Sequence, residues 1–278
     1  MLYCDAEKSA EVPPIGKKTD ENAAAAPPDW RGRVRIGTSG WHYRHWRGRY
    51  YPQDLPAASW LAWYARDFDC VEVNNSFYRL PAVETVRQWC AQVPADFVFA
   101  LKASRLLTHL KKLRDCEAAL ANFLTVADAF GLRLGPILFQ LPPRWRVNSA
   151  RLAEFLALLP PWYEYAFEFR DPSWHCQEIY RLLEGYRAAF CLFDLAGRQS
   201  PQVVTAELVY VRLHGPSPGP YAGCYSGEQL ESWAARVRDW AGAGHRVFVF
   251  FDNDQRGYAV ENARRLVGLV SPRAVKFS

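Results

Sequence analysis

The chain has 278 residues, 50% of them hydrophobic, enough for one large domain or two small ones. No run of about 18 consecutive apolar residues occurs, so no membrane-spanning helix is expected, and the first 30 residues lack the basic start and apolar core of a secretory signal. Those 30 residues carry three lysines against six acids, a net of −3 in a chain total of +5, which leaves +8 on the remainder: a basic body that favours an anionic small molecule or nucleic acid as partner.

Residues 1–30, rich in Ala, Pro, Lys and Glu, read as a flexible acidic extension, and residues 31–278 as one domain. VRIGTS (34–39) is the first strand-like run, followed by a helical stretch at 59–68. CVEVNN (70–75) leads into a helix over 82–93. FVFALK (97–102) leads into a helix over 115–131, with Asp115 as N-cap and Gly131 near its end. PILFQL (136–141) precedes a helix over 148–159 that stops before Pro160-Pro161, and YAFEFR (165–170) precedes one over 176–186. AFCLFD (189–194) is followed only by the weak GRQSPQVVTAE, where a short or irregular helix is expected. LVYVRLHG (208–215) leads to a helix over 226–244 capped by Ser226, and VFVFFDND (247–254) to a closing helix over 259–270.

Eight strands alternating with about eight helices match a single (β/α)₈ TIM-type barrel. An open doubly wound sheet is the rival, weakened in its nucleotide-binding forms because neither GxxxxGK[ST] nor GxGxxG occurs. The seven cysteines are odd in number and include no CxxC, which suits small core residues in a reducing cytoplasm better than a zinc cluster.

Side chains of a strand alternate between its faces. In YAFEFR, Tyr165, Phe167 and Phe169 share one face while Ala166, Glu168 and Arg170 share the other. The same parity separates Glu72 and Asn74, Lys102, Gln140, Asp194, Arg212 and His214, and Asp252 and Asp254 from aromatic or aliphatic neighbours. The polar member stands last or nearly last each time, so these groups are expected to meet at the carboxyl mouth of the barrel, where active sites of this architecture sit. The bland alternative is an ion-pair network plugging the barrel, at a cost of several kcal/mol per buried ion before pairing.

Seven ordered stretches, IGTSGWHYRHWRGRYYP, FDCVEVNNSFYRLP, FVFALKASRLLTHLKKLRD, LGPILFQLPP, YAFEFRDPSW, VYVRLHG and FFDND, resemble the YecE-like family, domain-of-unknown-function family seventy-two, from about Val34 to Val270. The resemblance implies a TIM-barrel fold and brings no reaction. At fold level it is similar to barrels such as endonuclease IV and xylose isomerase, which act on phosphate- or sugar-bearing substrates using metals.

The expected cup suggests three chemistries. Lys102, Arg105, Arg170 and Arg212 are candidate anion holders, with Asn74 and Gln140 as polar contacts, and Trp41, Tyr43 and Trp46 of the first loop as stacking partners over the site. Glu72 and Glu168 are candidate bases, His214 and His109 candidate acids, and Asp194 and Asp252 their orienters. The acids with His214 also form an oxygen-rich set for one divalent ion, Mg²⁺ or Mn²⁺. These point first to a hydrolase or lyase on a phosphate-bearing or sugar-containing anion, nucleic acid included. A metal-independent glycosidase using Glu72 and Glu168 and a non-catalytic nucleic-acid or metabolite binder stay open, as does the oligomeric state.

Overall fold

Residues 32–219 and 221–270 are described by the computed structural model, so the expected extension, residues 1–30, lies outside the described residues. In chain order the elements are β1 (Val34–Thr38), α1 (Trp60–Tyr64), β2 (Cys70–Val73), α2 (Asn75–Tyr78), α3 (Val83–Ala91), β3 (Val98–Lys102), α4 (Glu117–Asp128), β4 (Leu134–Leu141) and α5 (Ser149–Ala157). They continue with β5 (Tyr165–Phe169), α6 (Gln177–Gly185), β6 (Ala189–Phe190), β7 (Leu192–Leu195), β8 (Arg198–Gln199), β9 (Leu208–Leu213), α7 (Gly227–Gly242), β10 (Arg246–Phe251) and α8 (Tyr258–Val270). No described helix is long and apolar enough to cross a membrane.

The strands form two five-stranded sheets, ordered β1-β10-β9-β7-β8 and β2-β3-β4-β5-β6. All pairings are parallel except β7 with β8. The fold is therefore mixed α/β with parallel sheets, and the hydrogen-bond ladder divides where one continuous barrel was expected. Two seams join the sheets. At one, a single parallel bridge links Ser39 to Glu72. At the other, the expected sixth strand splits at Cys191, with β6 in one sheet and β7 in the other.

Alternate residues of both sheets share one interior: Cys70, Ala100, Leu138, Ala166, Cys191, Tyr210 and Phe250 belong to a single buried cluster. The opposite faces, with Val71, Phe99, Phe139, Phe167, Val211 and Val249, pack under the helices in a separate, larger core. The first seam is drawn together by the buried Tyr64 hydroxyl, which accepts from the Thr38 N–H at 2.9 Å and donates to the Cys70 carbonyl at 3.1 Å. Gly37 sits against that carbonyl, where an added Cβ would lie 2.4 Å from the oxygen.

Local chemistry explains several element ends. Ser226 starts α7 through a capping box in which its Oγ accepts from the Gln229 N–H at 3.2 Å and Gln229 Oε1 accepts from the Ser226 N–H at 2.9 Å. Asn148 caps α5 by accepting from the Arg151 N–H at 3.0 Å. Asp115 does not cap α4: its φ is 47°, and Cys116 stands at the cap position without a side-chain bond. The sixth connection is a tight β7–β8 hairpin and not the expected helix, with Ala196 at φ 54° and Gly197 at φ 74° giving the left-handed pair that such turns require. The short α2 also lies where no helix was expected.

The close approach at Gly37 carries a direct test. Gly37→Ala forces backbone apart at the seam and is expected to lower unfolding stability by about 3 kcal/mol, the upper part of the range for overpacking. Gly268→Ala, in α8 with nothing within 4 Å of the new methyl, is expected to raise it by about 0.5–1 kcal/mol. Urea midpoints of the two variants against the parent measure both signs.

Candidate functional site

At the carboxyl ends of the strands, the fully buried Arg212 of β9 gathers three carboxylates. Its Nε lies 3.0 Å from Glu72 Oε2 and its Nη2 2.7 Å from Glu72 Oε1. Nη1 donates to Glu168 Oε2 at 2.7 Å, and Nη2 also donates to Asp252 Oδ2 at 3.0 Å. Glu72 further accepts from Ser39 Oγ at 2.7 Å and from the Tyr210 hydroxyl at 2.6 Å. Strand parity delivers these groups to one interior: Glu72 and Glu168 come from one sheet, Tyr210 and Arg212 from the other, and Asp252 follows β10 directly.

His214, also fully buried, extends the network. Its Nδ1 lies 3.0 Å from Asp252 Oδ2, and its Nε2 lies 3.0 Å from Arg170 Nη2 and 3.3 Å from Glu168 Oε1. Nε2 thus faces a donor, Arg170, and an acceptor, Glu168, and the tautomer of the ring decides which of the two it bonds. Arg170 Nε pairs in turn with Glu168 Oε1.

The charges sort themselves by partner. Burial pushes the Glu168 carboxyl up, but Arg170, Arg212 and His214 outweigh it and hold it well below the usual carboxylate range. Asp252 is likewise pushed up by burial and pulled below its ordinary value by Arg212, His214 and Lys102. Lys102, at the end of β3, is only 8% exposed. Burial first, and Arg212 next, lower its ammonium to about 8 against the opposing pull of Asp252, Glu72 and Glu168. Among the described residues no carboxylate lies within ion-pair reach of it, and its Nζ sits 4.5 Å from the Phe77 ring centroid.

The structure thus brings together Glu72, Glu168, Arg170, Arg212, His214 and Asp252, with Lys102 beside them. Asn74 lies at the edge, its Nδ2 3.3 Å from the Ser39 carbonyl, and Gln140 is paired in register with Glu168 on the neighbouring strand, its Nε2 donating to the Leu141 carbonyl at 2.9 Å. Arg105 is exposed at the rim. His109 is half-buried, and burial with Lys102, Arg105 and Arg170 lowers it to about 4.

Three expectations are corrected. Asp194 does not join the cup: Ala189 and Cys191 fill the interior face of that strand, so Asp194 stands with Leu192 on the other side, opposite Gln199 of the hairpin. Trp41 and Trp46 do not cover the site. Trp41 packs edge-on against Trp89 at 5.1 Å, and the fully buried Trp46 packs among Tyr43, Tyr50 and Tyr51. Only Tyr43 of that trio stays near, donating its hydroxyl to the Ser39 carbonyl at 2.6 Å, with burial and then Asp252, Asp254 and Glu72 pushing its phenol well up. The proposed oxygen-rich metal set is not assembled either: among the described residues no three His, Cys, Asp or Glu are disposed to hold an ion, because the Arg212 guanidinium stands where their oxygens converge.

Ser39 and Tyr210 were missed. Tyr210 stands on the interior face by parity, and Ser39 ends the first strand, so position marked both and only their hydroxyl chemistry was overlooked. An open groove of about 620 Å³ is lined by Asn75, Tyr78, Arg79, Leu80, Thr85 and Trp89, and none of the clustered groups lines it.

Residues 35–277 match the family model described as Protein of unknown function DUF72. The UPF0759 protein YecE of Escherichia coli K12 is 36% identical over 111 residues, 40% of this chain, and the match spans only 41% of that relative's length. The UPF0759 protein YunF of Bacillus subtilis 168 is 25% identical over 281 residues, covering 85% of this chain and 94% of that protein. Among solved structures, a DUF72 family protein from Thermotoga maritima superposes with a TM-score of 0.78 at 28% identity, over 85% of this chain and 98% of that one. A DUF72 family protein from Enterococcus faecalis shares the fold with a TM-score of 0.74 at 19% identity, over 85% and 95% of the two chains. With the family model spanning nearly all of the described residues, the chain belongs to the DUF72 family of proteins of unknown function.

Proposed function

We propose that the cluster around Arg212 is the floor of an active site, that of a hydrolase or lyase acting on a small phosphate-bearing or sugar-containing anion. On this reading the two sheets are halves of one (β/α)₈ barrel and the site opens at its carboxyl mouth. The observation that carries the proposal is the contrast between Arg212, which binds all three carboxylates of the cluster, and Lys102, which is buried beside them with no carboxylate in reach among the described residues. Burying an ammonium without a partner costs stability. A site that must exchange a proton near neutrality and attract negative charge accounts for that cost.

The roles follow from what each group has left to offer. Arg212 is committed to carboxylates, so it positions the others and does not hold the substrate anion. Arg170, whose side chain is 10% exposed, and the exposed Arg105 hold the anion. Lys102 exchanges the proton, and the Asp252–His214 pair orients the ring nitrogen toward Arg170 and Glu168. A glycosidase pairing of Glu72 with Glu168 is disfavoured, because donors from Ser39, Tyr210 and Arg212 already occupy both oxygens of Glu72. A polyanion such as single-stranded nucleic acid is the second reading, favoured by exposed Arg44, Arg47, Arg49, Arg79, Arg105 and Lys112 on the loops that follow β1, β2 and β3.

Inorganic phosphate or sulfate is expected to raise the melting temperature by about 3 °C at ten times its Kd, and a neutral sugar to leave it unchanged. Arg170→Ala should abolish the shift; an unchanged shift removes the anion site from this place. The linked proton has a defined sign. The free protein holds Lys102 at about 8 where an ordinary lysine lies at 10.5, and a bound anion favours the ammonium, so anion binding above about pH 8 takes up a proton. Calorimetry in buffers of different ionisation enthalpy measures that uptake, which Lys102→Met should eliminate.

Arg212→Met strands three buried carboxylates and is expected to cost about 3–5 kcal/mol in urea unfolding. A loss below about 1 kcal/mol would mean that the cluster is not held by this guanidinium. For the polyanion reading, affinity for a single-stranded oligonucleotide should fall steeply as salt rises, and a flat salt response removes it.

A further inference from the structure

Lys102 combines three features that an anion-binding or structural lysine does not need together. It stands at the carboxyl end of a parallel strand, where its side chain faces the interior cluster. Its Nζ lies over the Phe77 ring at 4.5 Å, an apolar seat on one side. The groups facing it are Arg212, Asp252, Glu72 and Glu168, and the three carboxylates among them are all bound to Arg212. It is therefore an amine held out of water, next to another cation, with no carboxylate bonded to it among the described residues. Those are the conditions that turn a lysine from a point charge into a nucleophile.

From this placement, and resting on the active-site reading above, we propose that Lys102 is a covalent catalyst that condenses with an aldehyde or ketone group of the anionic substrate. The substrate class is thus an anionic carbonyl compound, such as an aldose phosphate or a 2-oxo acid, and the reaction class is that of a Schiff-base lyase. The step balances without a co-reactant. The Nζ lone pair forms the bond to the carbonyl carbon as the carbon–oxygen π bond breaks. The oxygen leaves as water with two hydrogens from the ammonium. The nitrogen keeps the third hydrogen and the positive charge as a protonated imine. Arg170 and Arg105 hold the acid group while this happens, and Glu168 and His214 serve as proton acceptors for the carbon chemistry that follows. The fall of the Lys102 ammonium to about 8 agrees with this use, since it supplies free amine near neutral pH.

Glyoxylate with cyanoborohydride tests the inference on the intact protein. At neutral pH and limiting aldehyde, peptide mass spectrometry is expected to find one carboxymethyl group per chain on Lys102, formed at least ~10-fold faster than on the more exposed Lys111 and Lys112. Sulfate, competing for the arginines, should slow that labelling and leave the surface lysines unaffected. Lys102→Arg, checked by its melting curve, should lose the adduct. Labelling spread evenly over the surface lysines, with Lys102 unmodified, overturns the proposal. If sulfate still stabilises the protein in that case, the anion site stands and only the nucleophile is lost. If Lys102 is labelled but sulfate neither stabilises nor competes, the amine chemistry stands and the anion reading falls.

Discussion

A single guanidinium joins what the strand ladder leaves apart. The two sheets share one backbone bridge at one seam and a one-residue crossing at the other. Between them, Arg212 of one sheet reaches Glu72 and Glu168 of the other while also holding Asp252 on its own side. Its planar donor fork suits this work, because each of its three nitrogens donates to a carboxylate. An apolar plug would hold two sheets together more cheaply, since each buried ion costs several kcal/mol before pairing offsets it. The polar filling is therefore poor evidence of a stability device and better evidence of a prepared electrostatic environment.

That commitment of Arg212 shapes everything around it. Of the carboxylates bound to it, Glu168 and Asp252 are held below their ordinary range, which fits them to orient and accept and unfits them to donate protons. The same guanidinium repels the Lys102 ammonium, adding to the effect of burial. On the proposed reading, acid–base chemistry near neutrality falls to Lys102 and not to Glu168 or Asp252, a consequence of pairing geometry and not of residue type.

Much of this was legible in the sequence because strand parity depends on nothing beyond the alternation of faces. It placed Glu72, Glu168, Arg170, Arg212, His214 and Asp252 together from positions that span most of the chain. It failed at Asp194, where the interior face is filled by Ala189 and Cys191, and the rule that the polar member points inward has no way to weigh small apolar residues on the other face. Trp41 and Trp46 sit among arginines in a loop, and their true partners, Trp89 for the first and a knot of tyrosines for the second, follow from packing that no local pattern encodes. The division of the ladder at Cys191 and the hairpin around Ala196-Gly197 are matters of hydrogen-bond register and turn geometry, to which hydrophobic periodicity is blind. The pairing state of Lys102 was invisible for a related reason: alternation fixes a residue's face and leaves its partners undetermined.

The four-residue helix α2, which periodicity is too coarse to detect, completes the setting of that lysine. Ser76 Oγ lies 2.6 Å from the Lys102 carbonyl and 2.9 Å from the Val73 carbonyl, so it fixes the lysine's backbone at the end of β3 against the end of β2. The next residue, Phe77, supplies the ring beneath Nζ and meets His109 edge-on at 4.9 Å. One short turn thus pins the lysine at its main chain and seats its ammonium at the tip. A long, flexible side chain held at both ends loses little further freedom when it reacts, and groups fixed before the reaction need no rearrangement during it. Burial alone would make Lys102 an expensive core residue; burial with both ends positioned and the neighbouring carboxylates bound to Arg212 is what the role proposed for it draws on.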